Sequence, residues 1–148
     1  MATTEKQLIE ELQAGKYKPV YLLTGEENYY IDLVSDYFEN KVIDEAMRDF
    51  DQSVVYGRDT TMAAVISDAK RYPMMSPVHL VLVKEAQDIE TRQWEQLAAY
   101  LPKASEKGVI VFCYRHKKLD KRTAAYKAIE KYGCVYETPK VWDNQVPG

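Results

Sequence analysis

The chain has 148 residues, an apolar content of 46% and a formal net charge of −3 at pH 7. This length and composition are typical of one folded domain and exclude a disordered or fibrous chain. The acidic balance disfavours a dedicated nucleic-acid-binding domain, which normally carries a basic excess, but leaves a local basic patch open. No apolar run reaches the length of a membrane span, and the polar N-terminus is unlike a signal peptide. We therefore expect a cytoplasmic protein that does not contact a membrane.

The predicted secondary structure alternates between helix and strand along the chain. Thr4 and Gln7 fit a capping box at the start of a short first helix, which Gly15 ends. Near-continuous apolar strands separated by helices favour an α/β fold with three layers, in which helices cover both faces of a mostly parallel sheet. Strands are predicted at residues 19–24, 50–56, 78–83, 109–114 and 133–137, and further helices after Gly25, after Thr60 or Thr61, at residues 91–101 and at residues 121–132.

The C-terminal residues differ in character from the rest of the chain. We assign residues 1–140 to the α/β domain. Residues 141–148 include Trp142 and end in Val146-Pro147-Gly148, a composition typical of a connector. We expect them to begin the link to a lid domain that is absent from this chain.

Residues 20–34 have the strand, turn and helix layout of a phosphate-binding loop but lack its chemistry. A Walker loop needs a second glycine, a lysine and a hydroxyl side chain, and only Gly25 of that motif is present. Glu26 and Glu27 follow it where phosphate would lie, so carboxylates already use the positive end of the helix. The strand at residues 78–83 continues into Lys84-Glu85, and a lysine there would repel Mg²⁺. We predict a nucleotide-binding architecture that binds no nucleotide, cofactor or metal.

No other set of residues has the pattern of a catalytic site. His79 and His116 lie apart, without a nucleophile beside either of them. Cys113 and Cys134 each fall within an apolar run and are not spaced as metal ligands, so we interpret them as buried thiols in a reducing compartment. We expect no intrinsic catalytic activity.

Three segments together resemble one known family, the delta subunit of bacterial DNA polymerase III, a component of the sliding-clamp loader. They occur in the order and at the spacing of that family across nearly the whole chain. The resemblance implies an N-terminal AAA+-like domain that has lost ATP binding, within a DNA-directed DNA polymerase (nucleotidyltransferase) holoenzyme that acts in DNA replication. The matching segments are residues 20–31, residues 72–76 followed by 78–83, and residues 118–122 with Tyr126-Lys127 and Gly133.

The resemblance also implies a site that binds the clamp. The family pattern L-P-F-F-G falls on Tyr72-Pro73-Met74-Met75-Ser76, which we call the methionine segment (residues 72–76). In the family two exposed hydrophobic residues at this place hold the clamp and open one of its interfaces. Methionine suits this task because its flexible thioether fills irregular apolar pockets. The alternative is that these methionines pack under the following strand. The expected clamp-binding residues are Tyr72, Pro73, Met74, Met75, Ile66 and Lys70.

One basic cluster lies near the third matching segment. In an assembled loader it would face primer-template DNA through phosphate contacts. The alternative is a solvated turn whose charges pair with nearby acids. The candidate DNA-facing residues are Arg115, Lys117, Lys118, Lys121 and Arg122.

The sequence thus favours a non-catalytic clamp-loader subunit that binds and opens the sliding clamp, the beta subunit. The resemblance implies further partners, the gamma/tau and delta prime subunits, through a C-terminal part absent from this chain. Two alternatives stay open. One is an inactive AAA+-like adaptor with another protein partner, and the other is a nucleotide-dependent enzyme with an atypical loop after Gly25.

Overall fold

The computed structural model describes residues 4–116 and 119–138, which form an α/β domain. Five strands alternate with six α-helices, and short 3₁₀ or π turns join several of them. The strands are β1 Val20–Thr24, β2 Gln52–Tyr56, β3 His79–Lys84, β4 Gly108–Tyr114 and β5 Cys134–Glu137. The helices are α1 Glu5–Gln13, α2 Asn28–Tyr37, α3 Arg48–Asp51, α4 Met62–Ala69, α5 Trp94–Tyr100 and α6 Ala124–Tyr132.

The strands form one parallel sheet in the order β2-β3-β4-β1-β5. β1 lies between β4 and β5, with Val20 opposite Ile110 and Tyr21 opposite Cys134. Because all strands run the same way, their carboxyl ends meet at one edge of the sheet, where α/β folds place their ligand sites. The loop after β1 therefore lies beside the ends of β4 and β5.

Alternate side chains of the buried strands serve two cores, one on each face of the sheet. Val20 and Leu22 of β1 pack on the face covered by α4, α5 and α6. Tyr21 and Leu23 pack on the opposite face, against α1, α2 and the π turn that follows α2. The prediction of three layers with a parallel sheet is confirmed, because strands buried on both faces require helices on both sides.

Several predicted element boundaries differ from the structure by one to three residues. Residues 48–51 form the helical turn α3, so β2 begins at Gln52 and not at Phe50. Of the two caps predicted for α4, Thr60 and Thr61, Thr61 caps the helix by accepting a hydrogen bond from the N–H of Ala64. The helix predicted at residues 121–132 begins at Ala124, after Thr123 caps it. The segment at 91–101 starts and ends in 3₁₀ turns around α5.

Both cysteines are buried, as the sequence predicts, and they form no disulfide bond with each other. Burial raises the pKa of the Cys113 thiol, which keeps it in the neutral form. In the described ranges, no helix has the length and apolar character needed to cross a membrane. The predicted connector at residues 141–148 lies outside the described residues.

Candidate functional site

The methionine segment carries the most exposed large apolar side chains of the described residues. Tyr72 is 79% exposed, Met75 75% and Met74 70%. The segment lies between the end of α4 and the start of β3 and forms neither helix nor strand. Pro73 and Pro77 bracket the methionines, and proline disfavours a continuous helix at this position. The alternative that Met74 and Met75 pack under the strand is contradicted by their exposure.

A buried carboxylate holds the backbone of this segment. Asp51, at the end of α3, is completely buried. Its Oδ1 accepts a hydrogen bond from the N–H of Met74 at 2.6 Å, and its Oδ2 accepts from Met75 at 3.1 Å and from Ser76 at 2.9 Å. Burial disfavours the charged carboxylate, but the three N–H donors outweigh burial and lower the pKa of Asp51 to about 2. Asp51 is therefore ionised at neutral pH.

A second acid, Asp68, links α4 and β3, the two elements that flank the methionine segment. Asp68 of α4 accepts a hydrogen bond from Nε2 of His79 at 3.1 Å and pairs with Nη1 of Arg71 at 3.2 Å. His79 opens β3 and is 1% exposed, and its backbone N–H donates to the carbonyl of Lys107 at 2.7 Å. The end of α4 and the start of β3 are thus joined, so the chain between them forms a short closed loop.

Two predicted neighbours of the segment have different environments. Lys70 is exposed at the end of α4, with Nζ 5.8 Å from the ring centroid of Tyr100. Ile66 is only 8% exposed and belongs to the core between α4 and the sheet. The expectation that Ile66 extends the exposed surface is therefore wrong. Its position on α4 faces the sheet, because the apolar stripe of that helix packs there.

Two residues of this region, Phe50 and Asp51, were not predicted from the sequence to belong to the site. Phe50 was predicted to begin a strand, but it lies in α3 and is 53% exposed. It directly precedes Asp51, so a fourth exposed apolar side chain comes from the element that holds the methionine segment. The sequence offered one indication of this arrangement, the position of Asp51 within a predicted strand. An acid that is buried there needs hydrogen-bond donors from elsewhere in the chain.

The loop after β1 is closed by the end of β5. Gly25 has φ +128°, and a Cβ built on it would lie 2.0 Å from Oγ1 of Thr138. The N–H of Glu27 donates to this hydroxyl at 3.2 Å, and the N–H of Thr138 donates to the carbonyl of Thr24 at 2.8 Å. The side chain of Thr138 thus fills the space beside Gly25. Its hydroxyl also accepts the N–H of Glu27, one of the donors that a phosphate-binding loop would need. This role of Thr138 was not predicted from the sequence.

Ion pairs occupy the neighbouring position, where a Walker ATPase holds its metal. Nζ of Lys84 lies 2.9 Å from Oε1 of Glu39. Burial disfavours the charged amine, but the hydrogen bond and charge of Glu39 outweigh it and raise the pKa of Lys84. Glu85 pairs with Nε of Arg115 at 3.3 Å. The described residues contain no cluster of three or more His, Cys, Asp or Glu side chains arranged to hold a metal ion.

The described members of the basic cluster are paired with acids. The Arg115 side chain is 14% exposed and contacts both Asp32 and Glu85. Nζ of Lys121 lies 3.9 Å from Oε1 of Glu137. This arrangement matches the alternative of a positive turn whose charges pair with nearby acids.

Arg122 is paired in the same way, although it is exposed. Its Nη2 lies 2.9 Å from Oδ2 of Asp120, and hydrogen bonds from Arg122 lower the pKa of that carboxyl to about 2. The candidate residues Lys117 and Lys118 lie outside the described residues. The structure therefore brings together no unpaired basic surface from Arg115, Lys121 and Arg122.

The fold and the loop define a class of protein, an α/β module with a five-stranded parallel sheet whose loop after β1 is closed by its own chain. Comparison with known proteins gives the family. The family model described as "DNA polymerase III, delta subunit" matches residues 21–138. The chain belongs to this family, as its sequence predicts.

One curated relative supports this assignment. DNA polymerase III subunit delta of Bacillus subtilis (strain 168) is 26% identical over 138 residues, which cover 88% of this chain and 40% of that protein. The chain thus spans well under half the length of this relative.

Two solved structures share the fold. The Bacillus subtilis DNA clamp loader delta protein (YqeN) superposes with a TM-score of 0.75 at 24% identity, over 88% of this chain and 41% of that one. A DNA polymerase III gamma subunit-related protein from Thermotoga maritima gives a TM-score of 0.61 at 17% identity, over 94% and 46% of the two chains. The predicted α/β fold, a mostly parallel sheet flanked by helices, is therefore shared with these two structures.

Proposed function

We propose that this chain is the clamp-binding domain of a clamp-loader delta subunit and that the methionine segment is its contact with the sliding clamp. The observation that carries the proposal is the exposure of Met74 and Met75 on a backbone fixed by Asp51. Exposed apolar side chains on an ordered backbone are typical of an interface anchor, because little order is lost on binding. Tyr72, Pro73 and Lys70 border this anchor, and Phe50 extends it.

The mechanism we infer is the selection of an open ring. A domain that grips a closed clamp opens it only if it binds the strained or open form more tightly than the closed form. The apolar contact supplies that difference without nucleotide chemistry in this chain, since Thr138 closes the loop after β1. In this proposal ATP is consumed by other subunits of the loader, whose conformations expose or cover the methionine segment during DNA replication in the cytoplasm. The partner subunits in the loader are gamma/tau and delta prime.

Contact with primer-template DNA is a weaker part of the proposal. Arg115 and Arg122 already pair with acids, so a DNA phosphate would have to compete with Asp32, Glu85 or Asp120. We therefore assign clamp binding to this domain and leave DNA contact to the assembled complex.

The test is the affinity of this chain for the sliding clamp of the same organism, measured by calorimetry. Truncating both methionines in the variant Met74→Ala/Met75→Ala removes side chains whose burial is worth about 1.5–3 kcal/mol each. We expect the affinity to fall at least about tenfold, with no change in the melting temperature, because neither side chain supports the core.

The matched control is Leu33→Ala, which truncates an exposed apolar side chain of α2. It is expected to bind like the parent. An unchanged affinity in the double variant would show that the methionine segment is not the contact. A folded parent without clamp affinity would favour the inactive adaptor.

A further inference from the structure

We propose that Asp51 is a positioning residue for clamp recognition, which holds the methionine segment in its binding conformation before the clamp arrives. This inference rests on the proposed function of the methionine segment. It adds a residue that touches no partner and that lies in another element, α3.

The geometry of the contact carries the proposal. The three successive amides of Met74, Met75 and Ser76 converge on one carboxylate, with N···O distances of 2.6, 3.1 and 2.9 Å. Three consecutive donors aimed at one acceptor fix the backbone dihedral angles of the residues between them. The Cα–Cβ bonds of the two methionines are thereby directed away from α3 at a fixed angle, while their flexible ends stay free to fit a partner.

The chemistry of the site requires a carboxylate. An ionised carboxylate only accepts hydrogen bonds and has two oxygens to share among three donors. An asparagine has one acceptor oxygen and one amide that donates, so it would leave an amide of the segment facing another donor. Since Asp51 is completely buried, a mismatched side chain at this position leaves polar groups unpaired inside the protein, which costs free energy.

The hydrogen bonds from the methionine segment to Asp51 matter for binding because few other contacts restrain the backbone of this segment. Tyr72, Met74 and Met75 are exposed, so without Asp51 the backbone of the segment is limited mainly by the two flanking prolines and the Asp68–His79 pair. A segment that samples several conformations binds with an affinity reduced by the fraction that is competent. An exposed apolar loop thus gains affinity from a buried acid that never enters the interface.

The test combines clamp affinity with amide hydrogen exchange of the whole 148-residue chain. The variant Asp51→Asn is nearly isosteric, and Asp49→Asn is its matched control, because it removes the same charge from the same helix at an exposed position. We expect Asp51→Asn to bind the clamp about tenfold more weakly, as for a competent fraction of about one tenth. The amides of Met74, Met75 and Ser76 should exchange faster while those of β1 and β4 stay protected. Asp49→Asn should match the parent in both readouts.

A merely structural role predicts a different result. If Asp51 only stabilised the domain, its loss would lower the melting temperature and leave the affinity of the folded fraction unchanged, which would overturn the proposal. If Asp51→Asn does not fold, Asp51→Ser removes the charge and leaves a shorter side chain whose hydroxyl can turn its hydrogen away from the amides, and the same loss of affinity is expected. Equal affinity in a folded Asp51→Ser would likewise overturn it.

The outcome separates this inference from the function on which it rests. A folded parent that does not bind the clamp overturns the proposed function, and the role of Asp51 in recognition falls with it. A parent that binds, together with an Asp51 variant that binds equally well, overturns only the positioning role.

Discussion

Gly25 shows at the residue scale how one backbone angle fixes the loop after β1. Its φ of +128° is open to glycine and strained for other residues, and Thr138 fills the space beside it. We expect Gly25→Ala to lower the free energy of unfolding by at least about 2 kcal/mol in urea denaturation. Gly15→Ala is the control, because Gly15 also has a positive φ (+76°) but no atom within 4 Å of the added Cβ. Equal losses in the two variants would contradict the close contact with Thr138.

Helix α4 leads directly into the methionine segment, so at the scale of elements its start and end both matter. Thr61 caps its first turn through the N–H of Ala64, whereas the hydroxyl of Thr60 makes only a long contact of 3.5 Å with a carbonyl. Thr61→Ala should destabilise the domain by about 1 kcal/mol, because it leaves a helix donor without its acceptor. Thr60→Ala should destabilise the domain clearly less. Thermal unfolding of the two variants measures the difference. The reverse ranking would show that Thr60 is the capping residue.

At the scale of the whole molecule, the sheet order brings the end of β5 onto the loop after β1 and closes the edge where nucleotides bind in related folds. We expect millimolar Mg-ATP to leave the melting temperature unchanged. A ligand present at a hundredfold excess over its dissociation constant would add about 2.7 kcal/mol to the free energy of unfolding. This corresponds to a rise of several degrees in the melting temperature. Magnesium triphosphate serves as the ionic control. A rise with Mg-ATP alone would support the alternative of a nucleotide-dependent enzyme.

Much of the fold could be predicted because its signals are local. The apolar runs of β1, β3 and β4 and the stripe of α4 act over a few residues. The boundary of β2 could not be predicted in this way. Phe50 and Asp51 fit an alternating pattern, but the carboxylate of Asp51 satisfies three distant amides and so ends the strand at Gln52.

The candidate site was predicted only in part, since exposure and pairing depend on neighbours from other elements. The methionine segment was located through family resemblance, and its exposure became visible only in the folded chain. Ile66 and Arg115 were both expected at a surface. The first packs against the sheet, and the second pairs with Asp32 and Glu85 from two other parts of the chain.

The sequence by itself determined the alternation of helices and strands, the capping box of Thr4 and Gln7, and the absence of a Walker loop. Tertiary structure alone decided that Asp51 holds amides 23 to 25 residues away and that Thr138 reaches Glu27 across 111 residues. The physical reason is the range of the signals. Periodicity and caps report on contacts within a turn or two, whereas the order of parallel strands decides which distant loops meet.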